Sequence, residues 1–130
     1  MRKRSTGFTV IELLVVIAFL AAAAIIFMMQ FNTIKNESAN KQRRTAINAM
    51  YYSLEESFYK DNKYYPETLT DKTLPTMDPE LLVDPNGKKI GDSESDYRYE
   101  SKDCRDGKCK KYVLRSTLEN EDDFIKESRN

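Results

Sequence analysis

The chain has 130 residues, which is room for one modest domain. Its 21 basic and 21 acidic residues cancel, and no basic face indicates nucleic acid, so we expect no stable nucleic-acid binding. The sequence contains no His, the commonest general base and metal ligand, and shows no catalytic triad, metal cluster or phosphate loop. We therefore expect neither an enzyme nor a cofactor.

The first element in chain order is an apolar segment of 24 residues, from Phe8 to Phe31, with Glu12 as its only charge. Such a segment is long enough to span a bilayer as a helix. The basic residues Arg2–Arg4 precede it and favour a cytoplasmic N-terminus, with the rest of the chain outside. An ionised side chain in hydrocarbon costs roughly 2.5–3.5 kcal/mol on insertion scales, so Glu12 requires an explanation.

Two interpretations of this segment give Glu12 no purpose. A secretory signal peptide would use Ala21–Ala24 as its cleavage site, but the apolar run continues beyond it into Ile25–Met29. A plain single-span anchor that never polymerises has no use for the carboxylate. Both stay open as alternatives.

A third interpretation rests on a short basic leader that ends in glycine, followed by Phe, a glutamate five residues after the glycine, and the apolar run. This pattern resembles the class III leader of type IV pilins and of their relatives, the type II secretion pseudopilins. The residues that carry the resemblance are Arg2, Lys3, Arg4, Gly7, Phe8, Thr9, Val10, Ile11, Glu12, Leu13, Leu14 and Val15–Ile17.

The resemblance implies processing and assembly. A prepilin peptidase would cut the Gly7–Phe8 bond and methylate the new amine of Phe8, and the apolar helix would pack in the centre of a filament built by a pilus assembly platform. Glu12 of one subunit would then neutralise the Phe8 amine of a neighbour, because a buried charge is tolerable mainly when paired. Unlike many family members, the chain has no Gly or Pro between Phe8 and Tyr65.

The next segment, residues 32–63, favours a continuation of the helix. Apolar residues recur at spacings of three and four and predict one face that packs on a sheet: Ile47, Met50, Tyr51, Leu54 and Phe58. Asp61–Lys63 predict the end of the helix, and Pro66 prevents an early resumption. A continuous helix from Phe8 to about Lys60 would be roughly 80 Å long.

Residues 64–96 are rich in Pro, Asp, Thr and Gly, and they predict a loop with one helical turn near Pro79–Leu82. The motif 84-DPNG-87, together with Tyr65-Pro66 and 97-YRY-99, resembles a pattern common in pseudopilin-like heads. Three carboxylates follow the motif: Asp92, Glu94 and Asp96. Calcium binding is an alternative here, but the spacing lacks the twelve-residue EF-hand loop, so we expect an acidic solvated loop and no metal.

Two alternating runs, residues 95–102 and 110–118, predict an antiparallel hairpin, because Asp106-Gly107 suits a two-residue type I′ turn. That register pairs Tyr99 with Leu114 and Ser101 with Tyr112, and it leaves Val113 and Arg115 on the other face with the cysteine sulfurs. We expect five residues to pack on the helix: Tyr97, Tyr99, Tyr112, Leu114 and Leu118.

The same register places Cys104 opposite Cys109, with Cα atoms about 4.5 Å apart, within disulfide range. A disulfide would place this part of the chain outside the cytoplasm. A redox-active thiol pair is an alternative, although the spacing is not that of a C-x-x-C motif. A zinc site is another, although the sequence offers no His and no second cysteine pair.

Together these features predict an α+β fold, in which a long N-terminal helical spine packs on a small antiparallel β-sheet head. We divide the chain into a leader (1–7), a transmembrane or filament-core helix (8–31), an amphipathic helix (32–63), and a loop and sheet head (64–130). The acidic C-terminal tail, with Phe124-Ile125 as an anchor, is either a last edge strand or disordered.

The expected function is that of a type IV pilin, which polymerises with itself and other pilins into a surface filament for adhesion, twitching motility or DNA uptake. The protein would be a single-pass membrane protein before assembly and part of an extracellular filament after it. A pseudopilin of a type II secretion system is the alternative, and a single-span protein that never polymerises is the second alternative.

Overall fold

The computed structural model describes residues 7–130, so the basic residues of the expected leader lie outside the described part of the chain. A long helix consists of α1 (Val10–Ser53), a π-helical turn (Leu54–Phe58) and a short α2 (Tyr59–Asn62). The strands that follow are β1 (Tyr65–Pro66), β2 (Tyr97–Arg105), β3 (Lys108–Leu118) and β4 (Glu121–Glu127). A 3-10 turn, Pro79–Leu82, lies between β1 and β2, as the sequence predicts. The fold is therefore the expected α+β fold, with the long helix packed on a small antiparallel sheet.

The chain divides into two compact units, one that ends at Asn36 and a head of residues Glu37–Asn130. In the first unit, every residue from Gly7 to Lys35 is exposed, including the apolar ones. Phe19, for example, is 76% exposed and Phe27 71%. The described residues of this unit, from Val10 onwards, thus form a helix without a core of its own.

In the head, the helix buries the expected stripe only in part. Ile47, Met50 and Leu54 are fully buried, which confirms the centre of the predicted face. Phe58 is only half-buried, and Tyr59 packs against the core in its place. The π-helical turn explains this difference, because its i→i+5 hydrogen bonds displace the following side chains by about one position relative to an α-helix.

The helix ends where the sequence predicts. Lys63 adopts a left-handed conformation (φ 62°), and its N–H donates to the carbonyl oxygen of Tyr59 over 2.8 Å. This arrangement is a C-terminal cap of the αL type, here with a residue other than glycine. It turns the chain directly into β1.

The sheet is built around β3, which pairs with β2 along one edge and with β1 and β4 along the other. The predicted register of the hairpin is confirmed, since Tyr99 pairs with Leu114 and Ser101 with Tyr112. Asp106 and Gly107 have φ of 53° and 75°, as a type I′ turn requires. The C-terminal segment forms β4, which decides between the two expectations for the tail in favour of an edge strand.

The core of the head lies between the helix and the sheet. Tyr97, Tyr112 and Leu114 are buried there with the helix face, and Tyr99 packs against it, as expected. Leu118 is also buried but lies outside this core. Cys109 belongs to the core, although strict alternation placed its sulfur on the opposite face; Asp103 (φ 55°) interrupts regular strand geometry next to the disulfide.

Candidate functional site

The start of the helix has its own hydrogen bonds. The backbone N–H of Glu12 donates to Oγ1 of Thr9 over 3.2 Å, and the N–H of Leu13 donates to the carbonyl oxygen of Thr9. Thr9 is therefore the N-cap, and Glu12 lies in the first turn, where a carboxylate is favoured by the helix dipole. The Thr-x-x-Glu spacing is the sequence signature of a capping box, and it could have predicted this arrangement.

Glu12 thus has a local use in addition to the assembly role that the resemblance implies. Gly7 and Phe8, the residues of the predicted cleavage site, directly precede the cap and are exposed, Phe8 to 79%. An exposed bond just before a helix is accessible to a peptidase, because the chain there is not held in the helical hydrogen-bond ladder. The geometry is compatible with the predicted processing, which stays a prediction.

Beyond this cap, the described part of the chain contains one helix that is long and apolar enough to cross a membrane. In its first part, the large apolar side chains are at least 44% exposed: Val10, Ile11, Leu13, Leu14, Val15, Val16, Ile17, Phe19, Leu20, Ile25, Ile26, Phe27, Met28, Met29, Phe31 and Ile34. A continuous apolar surface of this kind is not stable in water and needs lipid or protein around it.

A buried polar cluster fastens the helix to one end of the sheet. Arg43 is 3% exposed, and its Nη2 and Nε donate to Oδ2 of Asp96 over 2.8 and 3.1 Å. Asn40 accepts from the N–H of Glu119 over 2.8 Å and donates to its carbonyl oxygen over 2.9 Å. Because these bonds join residues far apart in the sequence, the stripe of apolar residues gave no signal for them.

A second buried cluster surrounds Glu55, in the π-helical turn. This carboxylate is 4% exposed and accepts from the hydroxyls of Tyr112 over 2.7 Å and Tyr65 over 3.0 Å. The backbone N–H of Arg129 donates to it over 3.1 Å. Three donors without a formal positive charge therefore satisfy a buried carboxylate, which would otherwise be costly. Burial, and secondly the hydrogen bond to Glu55, raise the pKa of Tyr112.

The same cluster holds the C-terminal residues against the helix. The guanidinium of Arg129 donates to Glu56 over 2.6 Å and to the hydroxyl of Tyr51 over 3.0 Å, and Asn130 donates to the hydroxyl of Tyr65 over 3.2 Å. The sequence did not predict these contacts of Arg129 and Asn130, because a glutamate beside an apolar stripe usually faces solvent.

The 84-DPNG-87 motif has a structural role. Asp84 is 3% exposed, and its carboxylate accepts from the backbone N–H groups of Asn86, Lys88 and Asp96 over 2.8–2.9 Å. Gly87 adopts a positive φ of 82° in the turn that follows. The motif therefore closes the loop and fixes the start of β2, which gives its pattern a physical reason independent of any partner.

Cys104 and Cys109 form a disulfide, with Cα atoms 4.0 Å apart. The pairing follows the predicted hairpin register, and free thiols for a redox pair or a zinc site are therefore not present among residues 7–130. The acidic loop does not gather its carboxylates either: Asp96 bonds to Arg43, and Glu94 bonds to Lys88 over 2.8 Å. Within the described residues, no three potential metal-ligating side chains come together.

Comparisons with known proteins found no match to a family, a curated protein or a solved structure. The functional conclusion therefore depends on the residues of this chain. Those residues form an exposed apolar helix with a capped, acidic start, and a head that has its own core and a disulfide.

Proposed function

We propose that this chain is a subunit of a filament of the type IV pilin kind, anchored in a membrane by its first helix until it polymerises. The observation that carries the proposal is the apolar helix surface, exposed from Phe8 to Ile34, with one carboxylate in its first turn. Lipid covers such a surface before assembly, and the same helices of other copies cover it afterwards. The leader pattern before Phe8 supports this order of events.

The charge at Glu12 gives the proposal its mechanism. Cleavage after Gly7 would create an ammonium group on Phe8, which precedes the N-cap Thr9 and the start of the helix at Val10. A lone charge in an apolar filament core is costly, and an opposite charge on a neighbouring copy offsets part of that cost. Because the offset exists only when copies meet in one register, the pair favours both assembly and axial alignment.

The disulfide supports the predicted topology. A disulfide persists in an oxidising compartment, so the bond between Cys104 and Cys109 supports a head outside the cytoplasm. The basic residues before the apolar segment favour the cytoplasmic side for the N-terminus. The two independent signals therefore agree on a cytoplasmic N-terminus and an external head.

The first test is intact-mass and peptide mass spectrometry of the chain from membranes of cells that contain a prepilin peptidase. We expect loss of residues 1–7 and a methyl group on the amine of Phe8. Retention of the whole leader would contradict the proposal in its pilin and pseudopilin forms alike, and cleavage near Ala21–Ala24 would indicate a signal peptide. Electron microscopy of sheared fibres then distinguishes a surface pilus from a short secretion filament.

The second test uses Glu12→Ala with two matched controls. The cap bond of Thr9 uses the backbone N–H of Glu12, so the variant removes the charge and leaves that bond in place. We expect normal cleavage and loss of filaments. Thr9→Ala removes the cap but keeps the charge, and Glu37→Ala removes an exposed glutamate further along α1. Both controls should still polymerise; normal filaments in Glu12→Ala would refute the charge-pair mechanism.

A further inference from the structure

The disulfide hairpin and the end of the long helix enclose a cleft of about 970 Å³ with an excess of positive charge. Its cationic lining residues, which we call the basic end, are Lys63, Arg105, Lys108, Lys110 and Lys111. Only Asp103 contributes a carboxylate side chain to the lining. Within residues 7–130, none of these five cations forms an ion pair, so the positive charge of the basic end is not neutralised by carboxylates of the described chain.

At the opposite end of the sheet, the carboxylates outnumber the cations that pair with them, which are Arg43, Arg44, Lys88 and Arg115. Arg43 draws the segment before β2 and the turn between β3 and β4 together, since its Nη2 lies 2.8 Å from Asp96 and 3.7 Å from Glu119. The carboxylates that this arrangement leaves exposed, which we call the acidic end, are Asp92, Glu94, Glu119, Glu121, Asp122 and Asp123. Asp92 and Asp122 form no ion pair in the described part of the chain.

The two ends are separated by the length of the central strand. β3 runs from the basic end at Lys108 to Leu118, beside the acidic turn, over 11 residues. At about 3.4 Å per residue, this distance is about 35 Å, several times the Debye length at physiological salt. The opposite charges therefore neither pair nor noticeably attract each other within one head. The formal net charge of zero conceals this separation.

We infer that the basic end of one head docks on the acidic end of the head of a second copy. The inference rests on the proposed function and adds to it the surfaces by which the heads meet. The two surfaces differ, so the contact is heterologous. Its repetition gives an open filament when the rotation between copies does not close a ring, whereas a self-complementary patch would give a closed dimer. Complementary charges fix orientation and register in such a contact. The apolar helices hold the copies together, and the contact between heads determines how each copy is oriented relative to the next.

Carbodiimide cross-linking of the full-length chain in detergent micelles tests the contact directly, because this reagent joins an amine to a carboxylate without a spacer. We expect cross-links from Lys108 or Lys110 to residues Glu119–Asp123. Even the nearest of these pairs, Lys110 and Asp123, is separated by about 24 Å along β3, which excludes such links within one head. Mixing isotope-labelled and unlabelled chains identifies the links as intermolecular. They should decrease strongly at about 0.5 M salt, since exposed charges are then screened.

Charge exchange provides the sharper test. Lys108→Glu with Lys110→Glu reverses part of the basic end, and Asp92→Lys with Asp122→Lys reverses the unpaired part of the acidic end. Each pair alone should lower the yield of filaments roughly five-fold, as expected for steering charges, and the four changes together should restore it. Lys72→Glu, an exposed change outside both ends, is the control and should leave the yield unchanged.

The outcomes separate this inference from the proposed function. If the wild-type chain is processed and polymerises but both reversals polymerise normally, the inference is wrong and the proposed function stands. If only the basic reversal impairs assembly, the cleft receives a different anion and the inference is again wrong. If cross-links between heads form as expected but the leader is never removed, the head contact is supported and the proposed function fails.

Discussion

Leu20 and Leu54 lie on one continuous helix, yet Leu20 is 63% exposed and Leu54 is fully buried. Both are good helix formers, so propensity does not distinguish them. The difference is in what surrounds each residue, since the sheet covers Leu54 and nothing among residues 7–130 covers Leu20. The backbone is therefore helical over the whole length, but only the second part of the helix packs against a hydrophobic core.

The largest expected effect on the stability of the head is that of Leu54→Ala, compared with Leu20→Ala. Leu54→Ala leaves a cavity in the head core, and we expect a loss of about 4 kcal/mol in the free energy of unfolding, whereas Leu20→Ala should leave head stability unchanged. Urea unfolding followed by near-ultraviolet tyrosine signals measures both. Equal effects of the two variants would show that the first helix also takes part in the cooperative unit of the head.

The next largest effect on stability is expected at Tyr112, which bonds to the buried carboxylate of Glu55, in comparison with the exposed Tyr52. Tyr112→Phe removes a 2.7 Å hydrogen bond to Glu55 and should destabilise the head by up to about 3 kcal/mol, because the acceptor is charged and buried. Tyr52→Phe, at a 54% exposed position, is the matched control and should be neutral. Thermal unfolding of both variants checks this. A neutral Tyr112→Phe would indicate that the other donors satisfy Glu55 fully.

The disulfide should matter less than the core. It closes a loop of only a few residues, so the chain-entropy model gives at most about 2 kcal/mol for its loss. We expect reduction to increase hydrogen exchange in the hairpin while the helix face around Met50 stays protected. Global unfolding of the head on reduction would instead make the disulfide the main source of its stability.

The smallest effect concerns alkaline pH. Burial, together with the nearby Asp84 carboxylate, raises the pKa of Tyr97 from 10 to about 12. The folded state holds the proton of Tyr97 more tightly than the unfolded state does. The free energy of unfolding is therefore unaffected by this group below pH 10 and decreases as the pH rises towards 12, by about 1.4 kcal/mol at pH 11.

Tyr97→Phe should abolish this part of the pH dependence at little cost at neutral pH, because among residues 7–130 the Tyr97 hydroxyl has no hydrogen-bond partner. Tyr52→Phe should keep the alkaline loss of the wild-type chain. Urea unfolding at pH 8 and at pH 11 measures the difference. An unchanged pH dependence in Tyr97→Phe would assign the alkaline transition to other tyrosines.

Local patterns predicted much of the fold because their causes are local. The turn at Asp106-Gly107 fixed the hairpin register and therefore the disulfide, and Asp61–Lys63 predicted the end of the helix, where Lys63 forms the cap. The spacing of Ile47, Met50 and Leu54 identified the buried face. The prediction that Phe58 packs on the sheet was wrong, because a pattern based on 3.6 residues per turn does not reveal the π-helical turn.

By itself, the sequence determined the apolar first helix, its acidic first turn, the helix face of the head and the hairpin, since each depends on residues that are neighbours in the chain or on a strict period. Only the tertiary structure decided the surroundings of Glu55, the hydrogen bond from Arg129 to Glu56, and the separation of charge between the two ends of the sheet. Their donors, acceptors and charges come from segments far apart in the sequence, and packing alone brings them together.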